Sequence, residues 1–513
     1  MKITAKKASD PLSISHLNPG LKSRSVRGGV LTLGSQGAQF VIQSVGTVVL
    51  ARLLTPADFG IVAMVTAVTG LGQAFADMGL SEATIQKDDI SHEQVSALFW
   101  INLAIGLGLM LITAALAPGL AWFYKEPRLK SIALLVSLTF LIGSLRVQHD
   151  GLLKRQMRFV SLATRDVGSW ALSVPIAIFL AWHGIGYWAL VALPLMASSF
   201  STLFSWLAAG WIPSFPTRGA KIASLMKFGG NVAASYLVVT LNRSADNALV
   251  GWYWGAGPLG LYSRAYNLLM LPVKQVSLPA ASVAVPTFSR IQTDPPLFAR
   301  YYLRAINLIM WITAPLFGLL FVAATSIVAI VLGRQWVQAA PVFQILAISA
   351  LSQILLESTI WLFVSRGQST RLLRMLLIVS PIIILSYAIG LPFGIKGVAL
   401  TGSLVMVGML PWILRFSFKG TDLNLSRLFK AVVNPLGVSL FCVLISEAVL
   451  GFFKIYQGLS QLIIAVICFA TICCMSLLSE PIRAEIMAFR NLLRRSPSAT
   501  PTAEMSEELE VAS

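Results

Sequence analysis

Residues 231–253 read NVAASYLVVTLNRSADNALVGWY. The stretch is long and apolar enough to cross a bilayer, yet Arg243 and Asp246 stand near its middle, flanked by Asn242 and Asn247. A charge at the centre of a membrane helix costs roughly 2.5–3.5 kcal/mol on insertion scales, so it faces a water-filled cavity or a partner rather than lipid. At about 100° per residue, Asn231, Ser235, Asn242 and Asp246 fall within a sector of ~60°, with Arg243 about 60° from Asp246. The opposite face suits lipid or packed helices. The next apolar segment carries Arg264, Asn267 and Lys274 within ~80° of arc. Two neighbouring helices thus bring cations into the membrane, as expected around an anionic ligand. The cations have a second reading: they pair with Asp246 and other acids to hold helices together.

The whole chain fits this setting. Of its 513 residues 56% are hydrophobic and only 12% charged, which points to a multi-span membrane protein and excludes a soluble domain. No long polar segment separates the apolar ones, so there is no room for a sizeable soluble module. The net charge of +18 would suggest nucleic acid in a soluble protein, but here its distribution follows the membrane. With the N-terminus inside, the inside segments hold 26 Lys and Arg and the outside segments 7. That bias predicts an even number of spans and two cytoplasmic termini, with no nucleic acid as partner. The first 27 residues lack an apolar core or cleavage site, so the first span is expected to be retained. Cys442, Cys468, Cys473 and Cys474 lie in apolar segments without metal-site spacing, and read as small packing residues.

Fourteen helices are predicted, near 29–53, 59–81, 94–118, 129–149, 158–182, 185–209, 221–253, 259–288, 299–330, 338–365, 370–392, 395–417, 427–452 and 459–480. A repeat is visible among them. Gly28-Gly29 opens the first span and Gly229-Gly230 the seventh; Phe59-Gly60 opens the second and Leu259-Gly260 the eighth. Each copy holds six spans and both have the same orientation, as in two-lobed transporters that bind substrate between the lobes. The expected fold is therefore an all-α polytopic membrane protein. It has two six-helix lobes in parallel repeat around a central cavity, plus two extra C-terminal transmembrane helices. The divisions fall at 1–27 (basic N-terminus), 28–210 (first lobe), 221–417 (second lobe), 427–480 (the extra pair) and 481–513 (a tail that is partly disordered).

Other polar residues sit inside the spans. Thr32, Ser35, Gln36, Gln39, Gln43 and Thr47 form an uncharged stripe on the first, either lining a cavity or bonding to neighbouring helices. Asp77 in the second span and Glu357 in the tenth each follow a glutamine by one turn, Gln73 and Gln353. With Asp246 they are the acids most able to bind a proton or Na⁺, although Asp77 also reads as a helix-end carboxylate bonded to backbone. Glu447 and His183 read as helix-end residues. The connection His149–Arg165, HDGLLKRQMRFVSLATR, is basic and amphipathic, and snorkelling together with the inside bias accounts for it. There is no nucleophile elbow, phosphate loop, metal-spaced His/Cys cluster or long loop with paired acids. No catalytic residue, metal ligand or organic cofactor is expected.

At Leu50–Gln86, LARLLTPADFGIVAMVTAVTGLGQAFADMGLSEATIQ, the chain resembles the Wzx-type polysaccharide flippases, in particular the colanic-acid-exporter-like branch of the multidrug/oligosaccharidyl-lipid/polysaccharide exporter superfamily. The Leu-Thr-Pro-x-Asp-Phe-Gly turn and the Asp-x-Gly-Leu-Ser-x-Ala-x-Ile-Gln run carry the likeness. So do Leu153–Ala163, LKRQMRFVSLA, and the series DNALVG, LGLYSRAYNLLMLP and VPTFSRIQ within Asp246–Gln292. The resemblance implies alternating access in a bacterial inner membrane. The substrate would be an undecaprenyl-pyrophosphate-linked oligosaccharide for exopolysaccharide or lipopolysaccharide assembly. Membrane lipids, the polysaccharide polymerase and the export machinery are the partners it suggests. In this frame Arg243, Lys274 and Arg264 face the pyrophosphate, and Asn242, Asn247, Asn267, Gln36, Gln39 and Gln43 face the sugars. Two other readings remain. A drug-cation antiporter of the same superfamily predicts an acid-rich cavity, and a membrane glycan polymerase or ligase predicts a large extracytoplasmic loop.

Overall fold

The computed structural model describes residues 21–76, 81, 84–85, 90–215, 244–453 and 458–477. These residues are helical throughout their length apart from short turns, and none forms a strand. Helices α1 (Leu21–Leu53), α2 (Pro56–Ala76), α3 (His92–Phe123), α4 (Leu129–Ser144), α5 (Val147–Arg155), α6 (Phe159–Trp182) and α7 (Trp188–Ala209) form a first group. A helical segment, 244–254, leads into the second group. It comprises α8 (Ala256–Arg290), α9 (Pro295–Val322), α10 (Ala324–Val331), α11 (Ala340–Ser365), α12 (Ser369–Gly390) and α13 (Gly394–Phe418). The last pair is α14 (Leu425–Phe452) and α15 (Leu459–Leu477).

Polar start signals fix several of these helices. Ser91 and Gln94 form a reciprocal capping box at α3, and Asp294 accepts the Leu297 N–H at α9 with Pro295 in the first turn. Outer faces carry large apolar side chains such as Trp122, Leu207 and Leu404, 81%, 73% and 62% exposed. A water-soluble bundle would bury such residues, whereas lipid accepts them. Among the described residues eight helical segments are long and apolar enough to cross a membrane. One of them, Ser369–Phe418, is the antiparallel hairpin of α12 and α13, in which Thr401 Oγ1 donates to the Ser386 carbonyl at 2.7 Å. The chain is thus an all-helical, multi-pass membrane protein.

Within the first group α1 packs on α6, α3 on α4, and α7 on both α4 and α6. In the second, α11 is central, against α8, α9 and α13. Helices α14 and α15 pack on α9, so they lie outside the two groups. The predicted spans match most of these helices, but α1 begins at Leu21, eight residues before the predicted start at 29, and two spans are interrupted. The span near 299–330 is broken at Ala323 into α9 and α10. The span near 129–149 stops at Ser144, and α5 starts three residues later. Both interruptions leave carbonyls that other groups satisfy: Trp206 Nε1 donates to Leu145 O at 2.9 Å, and Gln461 Nε2 to Val322 O at 3.0 Å. Gly229-Gly230, most of the seventh span and the tail lie outside the described residues.

The two groups meet through α2 and α8. A Cβ added at Gly60 would lie 1.7 Å from the Ala256 carbonyl oxygen, and one added at Gly260 would lie 1.8 Å from that of Pro56. The contact is reciprocal, and it uses the two glycines that open the second and eighth predicted spans. Only glycine permits backbones to cross this closely.

Candidate functional site

The turn between α1 and α2 is built by its own sequence. Asp58 Oδ2 accepts from Thr55 N at 2.9 Å and Thr55 Oγ1 accepts from Asp58 N at 3.3 Å, a capping box with Pro56 at the first helical position. That geometry delivers Phe59 and Gly60 to the junction of the groups. The edge of Trp336 meets the Phe59 ring with centroids 5.3 Å apart, and the Arg264 guanidinium lies over the same ring at 4.5 Å. Trp336 Nε1 and Gln335 Nε2 donate to Ala51 O at 2.7 and 2.6 Å; Gln335 Nε2 also reaches Leu54 O at 2.9 Å, and Arg52 reaches Ile330 O at 2.5 Å. Among the described residues these are all the hydrogen bonds that join the groups, and all lie at the Arg52 end. Among the described residues the two groups are thus fastened at the Arg52 end.

Arg264 is the second cation at this junction, after Arg52. It has no acidic partner among the described residues, and its Nε is buried without a hydrogen-bond acceptor. Lys274 and Asn267 stand further along α8 and are exposed. Pro272, Pro279 and Pro286 repeat along the same helix, and each removes one backbone donor. Seven-residue spacing keeps the freed carbonyls near one face of α8.

Asp246 lies on the helical segment 244–254 and is only 3% exposed. Its carboxylate accepts Tyr262 Oη–H at 3.0 Å and the Asn247 N–H at 2.7 Å. The Asn247 Oδ1 is buried and unpartnered. Tyr262 also lines a cavity of about 70 Å³ with Tyr266, Tyr387, Gln353, Ser349 and Ser403, enough for a few waters or a small cation. Glu357 is half-buried on α11, away from this cavity's lining. Arg243, Asn242 and Asp77 lie outside the described residues.

The first group holds a larger cavity of about 490 Å³. Gln39 of the predicted stripe lines it; Gln36 is exposed and Gln43 half-buried. The remaining polar walls come from residues that pattern reading left unassigned. Asp150 accepts from Arg165 at 2.5 Å, from Arg146 at 3.1 Å and from Ser205 at 2.6 Å. Arg165 also pairs with Asp166 at 2.6 Å, and Arg146 donates to Ser201 at 3.2 Å. Both acids are thus paired with arginine.

This network corrects the expectation for His149–Arg165. Lys154 and Arg158 are exposed as snorkelling requires. His149, Arg155 and Arg165 are instead 0%, 7% and 8% exposed, with Arg155 donating to Thr84 O at 3.1 Å and a His149 ring nitrogen on Trp211 O at 3.2 Å. The reason is that α5 turns the segment back into the bundle instead of leaving it along the surface. Polar residues near both ends of 146–166, reading Arg-x-x-x-Asp and Arg-Asp, were the available signal. His183 is an exposed helix-end residue, as predicted.

A bundle of paired helical groups, fastened at one end and hollow within, defines the class of multi-helix membrane transporters. The chain belongs to the polysaccharide biosynthesis protein family Polysacc_synt_3, whose model matches residues 49–341. It is 25% identical over 436 residues to the teichuronic acid biosynthesis protein TuaB of Bacillus subtilis, covering 81% of this chain and 87% of that protein. It is 26% identical to the succinoglycan biosynthesis transport protein ExoT of Rhizobium meliloti (65% and 67% covered), and 22% identical to the lipopolysaccharide biosynthesis protein WzxC of Escherichia coli (59% and 62% covered). The fold is like that of the lipid II flippase MurJ in an inward closed conformation, with a TM-score of 0.67 at 15% identity over 88% of this chain and 99% of that one. It is also like an inward-facing multidrug resistance transporter of the MATE family and MOP superfamily (TM-score 0.54, 13% identity, 75% and 96% covered).

Proposed function

We propose that this protein flips an undecaprenyl-pyrophosphate-linked oligosaccharide across a bacterial inner membrane by alternating access, for exopolysaccharide or lipopolysaccharide assembly. The observation that carries this reading is Arg264, a cation held inside the bundle with an aromatic ring on one side and no carboxylate partner among the described residues. A guanidinium in that setting gains most from an anionic ligand, because two parallel hydrogen bonds to phosphate oxygens supply what the protein does not. Arg243 and Lys274 are the further cations assigned to the pyrophosphate. The names of the relatives, polysaccharide biosynthesis and transport proteins, agree with it. Transport, not bond making, is the proposed activity; a polymerase and export machinery would act on the delivered glycan.

In a deletion strain the cognate lipid-linked oligosaccharide should accumulate on the cytoplasmic leaflet, and expression of the intact chain should clear it. A strain that accumulates no such intermediate would contradict the flippase reading.

The two helical groups are assigned as the two lobes, with α14 and α15 as the extra pair and both termini in the cytoplasm. The end fastened by Arg52 then faces outward, and the bundle is closed on that side. Reporter fusions at Ser496 and near Gly257 are expected to report opposite sides; the same side at both would refute this topology.

Coupling to a proton or Na⁺ is assigned to the buried acids Asp246, Asp77 and Glu357. Asp246 is the best supported by position, since Tyr262 connects it to a small polar cavity. Asp246→Asn keeps the shape and both neighbours' bonding options but removes the charge. It is expected to reduce gradient-dependent transport at least about tenfold, on the scale of one charge-assisted interaction, with unchanged membrane abundance. Normal transport by all three neutral variants, with the gradient intact and collapsed, would exclude the coupling role.

A further inference from the structure

We infer that the first-group cavity is a carbohydrate subsite, one that holds the sugar part of the substrate while cations elsewhere hold its phosphates. This rests on the flippase reading above. The cavity's volume, about 490 Å³, falls within the roughly 300–1,000 Å³ of small-molecule sites. Among the described residues its charged wall residues are Arg146 and Asp166, one of each sign. Such a site has no net charge with which to attract a pyrophosphate or a drug cation. It suits a neutral ligand with many hydroxyls.

The available polar atoms match that ligand. Arg165 uses only Oδ1 of Asp166, through both Nε and Nη2, which leaves Oδ2 as a free acceptor. Arg146 is held by Asp150 and Ser201 through Nη1, which leaves Nη2 as a free donor. A fixed acceptor and a fixed donor fork on one wall can bind adjacent hydroxyls, each of which both donates and accepts. Trp170 lines the same space, and an indole ring can pack against the C–H side of a sugar. Gln39, Thr66 and Ser198 extend the polar wall. The ion-pair network thus has a purpose beyond stability. Arg165 and Asp150 hold Asp166 and Arg146 in place before the ligand arrives, which lowers the ordering cost on binding.

The test uses the purified full chain in nanodiscs and calorimetric titration with two ligands. One is the saccharide released by mild acid from the lipid-linked intermediate of the deletion strain; the other is undecaprenyl pyrophosphate, which carries no sugar. Trp170→Leu and Asp166→Asn are each expected to weaken saccharide binding about tenfold or more, while Trp170→Phe retains most of it. Undecaprenyl pyrophosphate should bind Trp170→Leu as it binds the unaltered protein. Because Asp166→Asn leaves Arg165 with one fewer charge partner, Trp170→Leu decides the result if Asp166→Asn is unstable. Saccharide affinity unchanged in Trp170→Leu, or no saccharide binding by the unaltered protein, overturns the subsite while normal undecaprenyl pyrophosphate binding leaves the flippase reading standing. Absence of any accumulated lipid-linked saccharide in the deletion strain defeats that reading, and the subsite with it.

Discussion

Alanine at position 264 is expected to abolish export while the protein still reaches the membrane at its normal level. Arg264 has two possible duties in this structure. It stacks on Phe59 across the junction, 4.5 Å from the ring centroid, a contact worth about 0.5–2 kcal/mol. It also presents a guanidinium with no protein counter-ion among the described residues. Two substitutions separate these duties. Phe59→Leu removes the ring and keeps the charge; Arg264→Lys keeps a charge but loses the two-pronged geometry that fits a phosphate. If the ligand is what Arg264 serves, Phe59→Leu exports well, Arg264→Lys exports partly and Arg264→Ala does not export. The measurement is polymer at the cell surface and lipid-linked intermediate in the membrane, at matched protein levels. Equal export by Arg264→Ala and Phe59→Leu would reduce Arg264 to a packing residue.

Valine at Gly60 or Gly260 is expected to be as damaging, for a different reason. Each new Cβ would overlap a backbone carbonyl of the opposite group, at 1.7 Å from Ala256 O or 1.8 Å from Pro56 O. A side chain could rotate away, but two helix backbones must separate. Overpacking costs about 1–3 kcal/mol even where neighbours can adjust, and here the adjustment would open the fastened end. Export should be lost in both variants, with reduced thermal stability. To read the geometry, cysteines at Leu54 and Gln335 can be bridged by a short bis-maleimide after the native cysteines are changed to serine. The bridge should form in the parent and fail in either valine variant. Efficient bridging together with normal export in Gly60→Val would show that the crossing is looser than the structure has it.

The hydropathy pattern located nearly every described helix, because a membrane span must be an unbroken apolar run that satisfies its own backbone. It could not locate the interruptions after Ser144 and at Ala323. Each depends on a distant donor, Trp206 or Gln461, that accepts the carbonyl bonding task. The same limit applies to the site. Asp246 was identifiable as a buried acid because an ionisable group at mid-span has few other destinations. Its tyrosine partner was not, since Tyr262 lies on the next helix. Arg146 and Arg165 fall within the predicted spans 129–149 and 158–182, but nothing in their spacing tells that Asp150 sits between them or that Asp166 opens onto a cavity. The Thr-Pro-x-Asp-Phe-Gly turn was visible as a motif. Its purpose became clear only when Trp336, more than half the chain away, was found against Phe59.

The bonds that fasten the Arg52 end share one property. Every one ends on a main-chain carbonyl: Ala51, Leu54 or Ile330. Carbonyls at the edge of the membrane lose little when water takes a donor's place, so the net cost of breaking each bond is about 0.5–1.5 kcal/mol. The four hydrogen bonds formed by Trp336, Gln335 and Arg52 therefore add only a few kcal/mol to the packing of α2 on α8. One elementary charge moving through a 100 mV potential releases about 2.3 kcal/mol. Under the ion coupling proposed above, one ion crossing per cycle releases about the free energy of one or two of these bonds, so the polar part of the latch can be reset in each cycle.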